Sequence, residues 1–188
     1  MEKKKITGAE ALLFAFKEEK VDTIFGYPGG AIIPVFDALY THKERLAFHH
    51  ILTRHEQGAA HAAQGYARVS GKVGVVIVTS GPAAANIVTG VADAMLDSTP
   101  LVVVTGQTSV TALGSDAFQE TDVLGITQAI TKWSYQIRRA EDISWAVARA
   151  FYIAREGRPG PVVLDLSKDA QNQLIEFSYE KCRYIRSY

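Results

Sequence analysis

The sequence predicts an α/β protein of three layers: a mostly parallel, six-stranded sheet with helices on both faces. Three observations carry this. Strand-like and helix-like segments alternate about six times along the 188 residues, as crossover connections between parallel strands require. Two runs, Val73-Gly74-Val75-Val76-Ile77-Val78-Thr79 and Leu101-Val102-Val103-Val104-Thr105-Gly106, are apolar almost throughout, the mark of strands covered on both faces. Four segments that follow strands are glycine-bearing or polar: Gly26 to Gly30, Thr53 to Glu56, Thr79 to Pro82, and Gly106 to Gln107. They would crowd along one edge of the sheet, off the carboxyl ends of the strands, where such folds bind ligands.

Each element has its own justification. Thr7 with Glu10 makes a capping-box pattern, and Ala11, Leu12, Phe14, Ala15 and Phe16 continue a helix to about Lys20. Asp22-Thr23-Ile24-Phe25-Gly26 is a short strand, broken by Tyr27-Pro28-Gly29-Gly30. Ile32, Ile33, Val35, Phe36 and Leu39 form the apolar side of a second helix. Leu46 to Leu52 reads as the second strand. A third helix starts near Glu56 and closes at Gly71, a C-cap candidate. After the apolar run at 73–79, Ser80-Gly81-Pro82 turns into a helix from Ala84 to Leu96, with proline suited to the first turn. Asp97-Ser98-Thr99-Pro100 stops it before the run at 101–106. Gln107 to Gln119 reads as a loop with a turn of helix, and Asp122 to Ile130 as helical. Trp133 to Ile137 alternates like a strand. Asp142 to Arg155 is amphipathic, with Ile143, Trp145, Ala146, Val147, Ala150 and Phe151 on its apolar face. Gly157-Arg158-Pro159-Gly160-Pro161 is a rigid turn into the last strand, Val162 to Leu166. From about Ser167 no clear pattern remains, and the tail reads as a linker.

Composition excludes several functions. Twenty basic and twenty acidic residues cancel, which removes the electrostatic argument for a nucleic-acid or anionic-membrane partner. No apolar run is long enough to span a bilayer. Met1-Glu2-Lys3-Lys4-Lys5 leads into no apolar signal core and reads as a solvated leader, so the expected compartment is the cytoplasm. One cysteine, Cys182, allows no internal disulfide and is taken as incidental.

Most chemical motifs fail on their spacing. No Gly-x-Gly-x-x-Gly follows the first strand; the nearest approach, Phe25 to Gly30, is interrupted by Pro28. Thr79-Ser80-Gly81-Pro82 suits either an anion at a helix start or a plain helix entry. His55-Glu56 lacks the histidine of a zinc-protease helix, since Ala59 stands in its place, and His55 and His61 do not share a helix face, so no metal ligands are assigned. Gly114-Ser115-Asp116 lacks the strand-to-helix elbow of a nucleophilic serine.

Arg54-His55-Glu56-Gln57-Gly58-Ala59-Ala60-His61-Ala62-Ala63 is different. It places a carboxylate at the mouth of a helix almost bare of large side chains. Desolvation among small apolar residues raises a carboxyl pKa and makes it a proton donor or sharer near neutrality. The alternative is an exposed helix-start carboxylate favoured by the helix dipole. The residues alone leave both open.

A resemblance discriminates between them. Phe25-Gly26-Tyr27-Pro28-Gly29-Gly30-Ala31, the Arg54–His61 block, Gly65-Tyr66-Ala67-Arg68, Thr79-Ser80-Gly81-Pro82, Asp97-Ser98-Thr99-Pro100, Thr105-Gly106-Gln107, Asp116-Ala117-Phe118-Gln119-Glu120-Thr121-Asp122 and Gly157-Arg158-Pro159-Gly160-Pro161-Val162 resemble the N-terminal, pyrimidine-binding domain of thiamine-diphosphate enzymes. More narrowly they resemble the catalytic large subunit of the acetolactate (acetohydroxyacid) synthases. The resemblance covers nearly the whole chain.

It implies a thiamine-diphosphate-binding fold over residues 1–168, with 169–188 starting a linker to a middle domain. It implies that Glu56 is catalytic, sharing a proton with N1′ of the cofactor's aminopyrimidine and so favouring the tautomer that deprotonates thiazolium C2. Pyruvate would then be decarboxylated and joined to a second 2-ketoacid, a step of branched-chain amino acid (valine, leucine, isoleucine) biosynthesis. Tyr27, Pro28 and Gly29 would line the pyrimidine pocket, with Thr79, Pro82 and Asn86 near the cofactor. Phe118 and Gln119 would face the reacting carbons, Lys168 the substrate entrance, and Arg158 a flavin (FAD). Mg2+ would be held by a C-terminal domain whose Gly-Asp-Gly…Asn motif does not occur in these residues, so this chain alone is expected to be inactive. A homodimer or tetramer is implied, with the alanine-rich face after Glu56 as the contact, and a small regulatory subunit is a further partner of the family.

Departures from the family pattern are Ala83 and Ala85 in Gly81-Pro82-Ala83-Ala84-Ala85-Asn86, where a glycine and a threonine are usual, and Thr108-Ser109, where Val-Pro is frequent. Two other identities are compatible with the residues: another thiamine-diphosphate decarboxylase, oxidase or carboligase, and a non-catalytic assembly module. The Asp-Ala-Phe-Gln-Glu block argues against the first.

Overall fold

Thr7 caps the first helix as its sequence requires. Its hydroxyl accepts from the Glu10 amide at 3.2 Å, and its own amide donates to the Glu10 carboxylate at 2.7 Å, closing the capping box. The computed structural model describes residues 5–186; Met1 to Lys4 of the lysine leader lie outside them. Strands are β1 (Lys5–Thr7), β2 (Thr23–Tyr27), β3 (His49–Leu52), β4 (Gly74–Val78), β5 (Leu101–Gln107), β6 (Trp133–Ile137), β7 (Pro161–Ser167) and β8 (Leu174–Glu176). Helices are α1 (Gly8–Glu18), α2 (Ile33–Thr41), α3 (Lys43–Leu46), α4 (Glu56–Ser70), α5 (Pro82–Asn86), α6 (Val88–Leu96), α7 (Val123–Thr127), α8 (Ile143–Arg155) and α9 (Lys168–Asn172).

Six strands form one sheet in the order β3-β2-β4-β5-β7-β6, every pair parallel. Of the four inner strands, β4, β5 and β7 are buried along their whole length, which is why they lack polar alternation. Alternate residues serve opposite faces. Val75, Ile77, Val102 and Val104 join one core with Leu12, Phe16, Val147 and Phe151 of α1 and α8. Val76, Val78 and Val103 join the other with Ala59, Ala63 and Val91 of α4 and α6. The chain runs outward from β2 to β3, then crosses back to β4 on the other side of β2. The carboxyl ends of β2 and β4 therefore form a topological switch point.

Several boundaries differ from the sequence reading. The strand expected from Leu46 begins only at His49: residues Lys43–Leu46 close a helical turn, and Ala47 leaves it with a left-handed φ of 54°. The helix expected from Ala84 to Leu96 is two helices meeting at Ile87. The helix expected from Asp122 to Ile130 is α7 followed by a tight 3-10 turn. The tail expected to lack a pattern contains α9 and β8, and β8 pairs antiparallel with β1. Elements of three and five residues are too short to carry a periodic signal.

The alanine face of α4 corrects another expectation. Ala59, Ala60, Ala63 and Ala67 are buried within the chain itself. Ala60 meets Gly90 of α6 so closely that a Cβ on Gly90 would lie 2.4 Å from the Ala60 Cβ, and one on Gly74 would lie 2.4 Å from the Ala63 carbonyl oxygen. These alanines let α4 settle on α6 and β4, so they are not a free surface for a second subunit. The exposed small residues of α4 are Gly58 and Gly65, where an added Cβ would meet nothing within 4 Å.

Candidate functional site

The four strand-following segments do meet at one edge, and they are tied to each other. After β2 the chain passes through Tyr27, Pro28 and Gly29. Gly29 packs against Thr79, the residue after β4, so tightly that a Cβ there would lie 2.4 Å from Thr79 Cγ2. Two residues on, the Ala31 amide donates to Thr79 Oγ1 at 3.1 Å. After β3, the Thr53 amide donates to the Gly26 carbonyl at 3.0 Å. After β5, the Gly106 position abuts the Ala31 carbonyl, 2.7 Å from where a Cβ would sit. Small residues and one threonine hydroxyl thus bring the backbones together at the switch point.

Glu56 stands beside this junction as the first residue of α4. His55 is the N-cap, and its Nδ1 accepts from the Gln57 amide at 3.1 Å. A carboxylate in the first turn of a 15-residue helix is favoured by the unpaired amides and dipole of that end. Glu56 is half-buried, and its Oε2 accepts from Asn86 Nδ2 at 2.9 Å. The short helix α5, entered through Pro82 at its first turn, is what carries Asn86 to this point. Glu56 Oε1 has no hydrogen bond among the described residues. The alanines of α4 turn inward, and Glu56 has an amide neighbour here rather than an apolar enclosure.

The remaining site residues divide into two groups. Tyr27 is 41% exposed, and Pro28 and Pro82 are exposed beside it on the same rim, while Thr79 is buried. Lys168 opens α9 directly after β7, and its amide donates to the Thr108 carbonyl at 3.4 Å, so it too lies at this edge. Phe118 is 88% exposed; Gln119, next to it, rests on Gly81, where a Cβ would lie 2.7 Å from the Gln119 carbonyl oxygen. Gly81 has φ of 64°, a conformation that favours glycine, so the Thr79–Pro82 turn and the Gln119 backbone need the missing side chain. Arg158 is apart from all of these. It precedes β7, at the opposite edge of the sheet, where it donates to Ser98 Oγ at 2.7 Å and to the Met95 and Leu96 carbonyls at the end of α6.

Asp165 was missed by sequence reasoning. It has no exposed surface. It accepts from Thr105 Oγ1 at 2.7 Å, Gln136 Nε2 at 2.9 Å and Gln107 Nε2 at 3.1 Å. Burial pushes its pKa up against the opposing effect of those donors, and the nearby Asp122 charge pushes the same way. Gln107 Nε2 also donates to the Thr121 carbonyl at 3.0 Å, so the network ties β5, β6 and β7 to the end of the loop that bears Phe118. The available signal was a lone aspartate inside the apolar run Val162 to Leu166, in register with Thr105 and Gln136.

Chemically, the rim offers exposed Tyr27 and proline surfaces beside a carboxylate with one open acceptor. That combination suits a flat ring with a polar nitrogen at its margin. Among the described residues no group of three or more histidine, cysteine, aspartate or glutamate side chains could hold a metal ion, and no helix is long and apolar enough to cross a membrane.

A family model described as thiamine pyrophosphate enzyme, N-terminal TPP binding domain, matches residues 6–126. The acetolactate synthase large subunit of Lactococcus lactis is 57% identical over 166 residues, 88% of this chain and 28% of that protein. That of Haemophilus influenzae is 49% identical over 187 residues, 98% of this chain and 32% of that protein. The mitochondrial acetolactate synthase catalytic subunit of Saccharomyces cerevisiae is 51% identical over 170 residues, 90% of this chain and 24% of that protein. The chain thus spans about a third or less of the length of these relatives.

Proposed function

The chain belongs to the N-terminal TPP-binding domain family of thiamine pyrophosphate enzymes, and from that membership we propose that Glu56 is the residue through which it acts on thiamine diphosphate. The observation that carries this is the placement of Glu56: at the mouth of α4, beside the switch point, with Oε2 held by Asn86 and Oε1 open. An open carboxyl oxygen fixed at a helix entrance can hold a proton at the pyrimidine nitrogen N1′. Asn86 holds the carboxyl in place. Tyr27, Pro28 and Pro82 would line the site of the ring, beside the contact that Gly29 makes with Thr79. When bound, the cofactor supplies the nucleophilic carbon and the electron sink for decarboxylating a 2-ketoacid.

The overall activity proposed is that of an acetolactate synthase: pyruvate is decarboxylated and joined to a second 2-ketoacid, serving branched-chain amino acid synthesis in the cytoplasm. Phe118 and Gln119 face the reacting carbons and Lys168 the entrance. The remainder of the site belongs to a longer protein, as the relatives' lengths suggest. There, residues beyond 169–188 hold the diphosphate and Mg2+, and a second subunit of a dimer or tetramer closes over Glu56. A flavin contact at Arg158 is a separate site: Arg158→Ala should lower FAD content and leave thiamine diphosphate affinity unchanged.

The test is calorimetric titration of thiamine diphosphate, with Mg2+, into the protein that carries this domain and its neighbours. Glu56→Gln should weaken binding by about tenfold, the order of one charge-assisted hydrogen bond. Equal affinity in wild type and variant would reject the assignment. The 188-residue chain alone, given pyruvate, cofactor and Mg2+, should form no acetolactate; turnover by a pure sample would reject the division of the site.

A further inference from the structure

Glu120 takes no part in the chemistry described above, yet the loop that carries Phe118 and Gln119 is built around it. Its Oε1 accepts from the Gly114 amide at 2.5 Å and its Oε2 from the Ala117 amide at 3.1 Å. Between these two, the Ser115 amide donates to the Ala112 carbonyl at 3.2 Å. The Glu120 amide in turn donates to the Ala117 carbonyl at 2.9 Å. One carboxylate therefore takes up two N–H groups, three residues apart, in a stretch outside regular secondary structure, and closes the loop by a side chain from its own end.

The stretch needs such a closure. Gly114, Asp116 and Gln119 have φ of 79°, 55° and 56°, and the two non-glycine residues are in a region sparsely used by L-residues. Phe118 between them is almost fully exposed, so packing does not hold it. The far end of the loop is fixed by Gln107, which donates to the Thr121 carbonyl, and the Gln119 backbone rests on Gly81. Between Gly114 and Glu120 the Ser115 hydroxyl donates to the Ala112 carbonyl at 2.7 Å, and the carboxylate supplies the restraint that spans the turn.

We propose that Glu120 is a positioning residue: its carboxylate holds the loop in the conformation that presents Phe118 and Gln119 beside the Thr79–Pro82 turn. Its importance to catalysis rests on the reading of Phe118 and Gln119 given above; its action on the loop does not. A glutamine at this position retains one acceptor oxygen and turns an NH2 toward amide N–H groups that need an acceptor, so it meets half of the demand. An alanine meets none.

Hydrogen exchange of the full 188-residue chain tests the proposal. In Glu120→Ala, the amides of Gly114 and Ala117 should exchange at least about tenfold faster, with those of β5 and α8 unchanged. Glu120→Gln should be intermediate, and serves as the folded comparison should the alanine variant not fold. Unchanged exchange at Gly114 and Ala117 in the folded variants would overturn the proposal, as would loss of protection spread equally over β5 and α8. A kinetic measurement on the longer enzyme then separates the two readings. If both hold, Glu120→Gln raises KM for pyruvate by about tenfold with thiamine diphosphate affinity within about twofold of wild type. A loosened loop with unchanged KM and kcat leaves the positioning role standing and removes Phe118 and Gln119 from the reacting carbons.

Discussion

Asp165 has no access to water, and its charge is met only by neutral donors from Thr105, Gln107 and Gln136. Its folded pKa is raised above the unfolded value. The stability it contributes is therefore fully present below the unfolded pKa, where the group is protonated, and is lost as pH rises through the folded pKa. Asparagine can keep the geometry: its carbonyl would accept from both glutamines while its amide donates to Thr105. We expect Asp165→Asn to fold, and to gain stability relative to wild type as pH is raised from about 4 to about 8. Asp165→Ala should cost about 1–3 kcal/mol for each glutamine amide left without an acceptor. Parallel thermal melts across that pH range would show both effects, and a pH-independent difference between the Asp165→Asn variant and wild type would refute the first. Glu56 shows the other side of residue-scale inference. Its position at a helix mouth was readable from the flanking small residues, but its contact with Asn86 depends on α5, thirty residues later in the chain, which no local pattern announces.

The pairing of α4 with α6 is governed by side chains that are absent. Ala60 and Gly90 allow the two helices to approach until an added Cβ would overlap. Ala60→Leu should thus destabilise the folded chain by about 1–3 kcal/mol or more through overpacking. Gly65→Ala, on the outward side with open space around it, should instead add about 0.5–1 kcal/mol by restricting the unfolded chain and favouring helix. Urea unfolding of the two variants should move the midpoint in opposite directions; equal shifts would contradict the packing described. The first helix, the inner strands and α8 were all legible in the sequence, because each is long and either periodic or continuously apolar. The break at Ile87, the turn at Lys43–Leu46 and the pairing of β1 with β8 were not. They arise from contacts between elements, and the elements concerned are too short to show a period of their own.

At the scale of the molecule, the tail is part of the domain. Phe177 packs against Phe14 with ring centroids 5.9 Å apart, Ile185 is buried, and Tyr179 donates to the buried Glu19 carboxylate at 2.6 Å while Arg155 pairs with its other oxygen at 2.7 Å. Tyr179→Phe should lower stability by about 1–2 kcal/mol, since it removes a donor from a buried carboxylate; an unchanged melting temperature would place the tail outside the cooperative unit. The same parallel sheet that holds this strap on one side gathers Tyr27, Glu56, Thr79, Asn86 and Lys168 at the opposite edge, through short connections off its carboxyl ends. Everything proposed for function converges on Glu56 at that edge. The most direct test is the rate of acetolactate formation by the full-length protein carrying Glu56→Gln, measured at saturating thiamine diphosphate and Mg2+ with the fold verified by circular dichroism. Loss of about 100-fold or more, the scale of a proton-transferring group, is the result predicted. A folded, cofactor-saturated variant that retains activity within about threefold of wild type would contradict it.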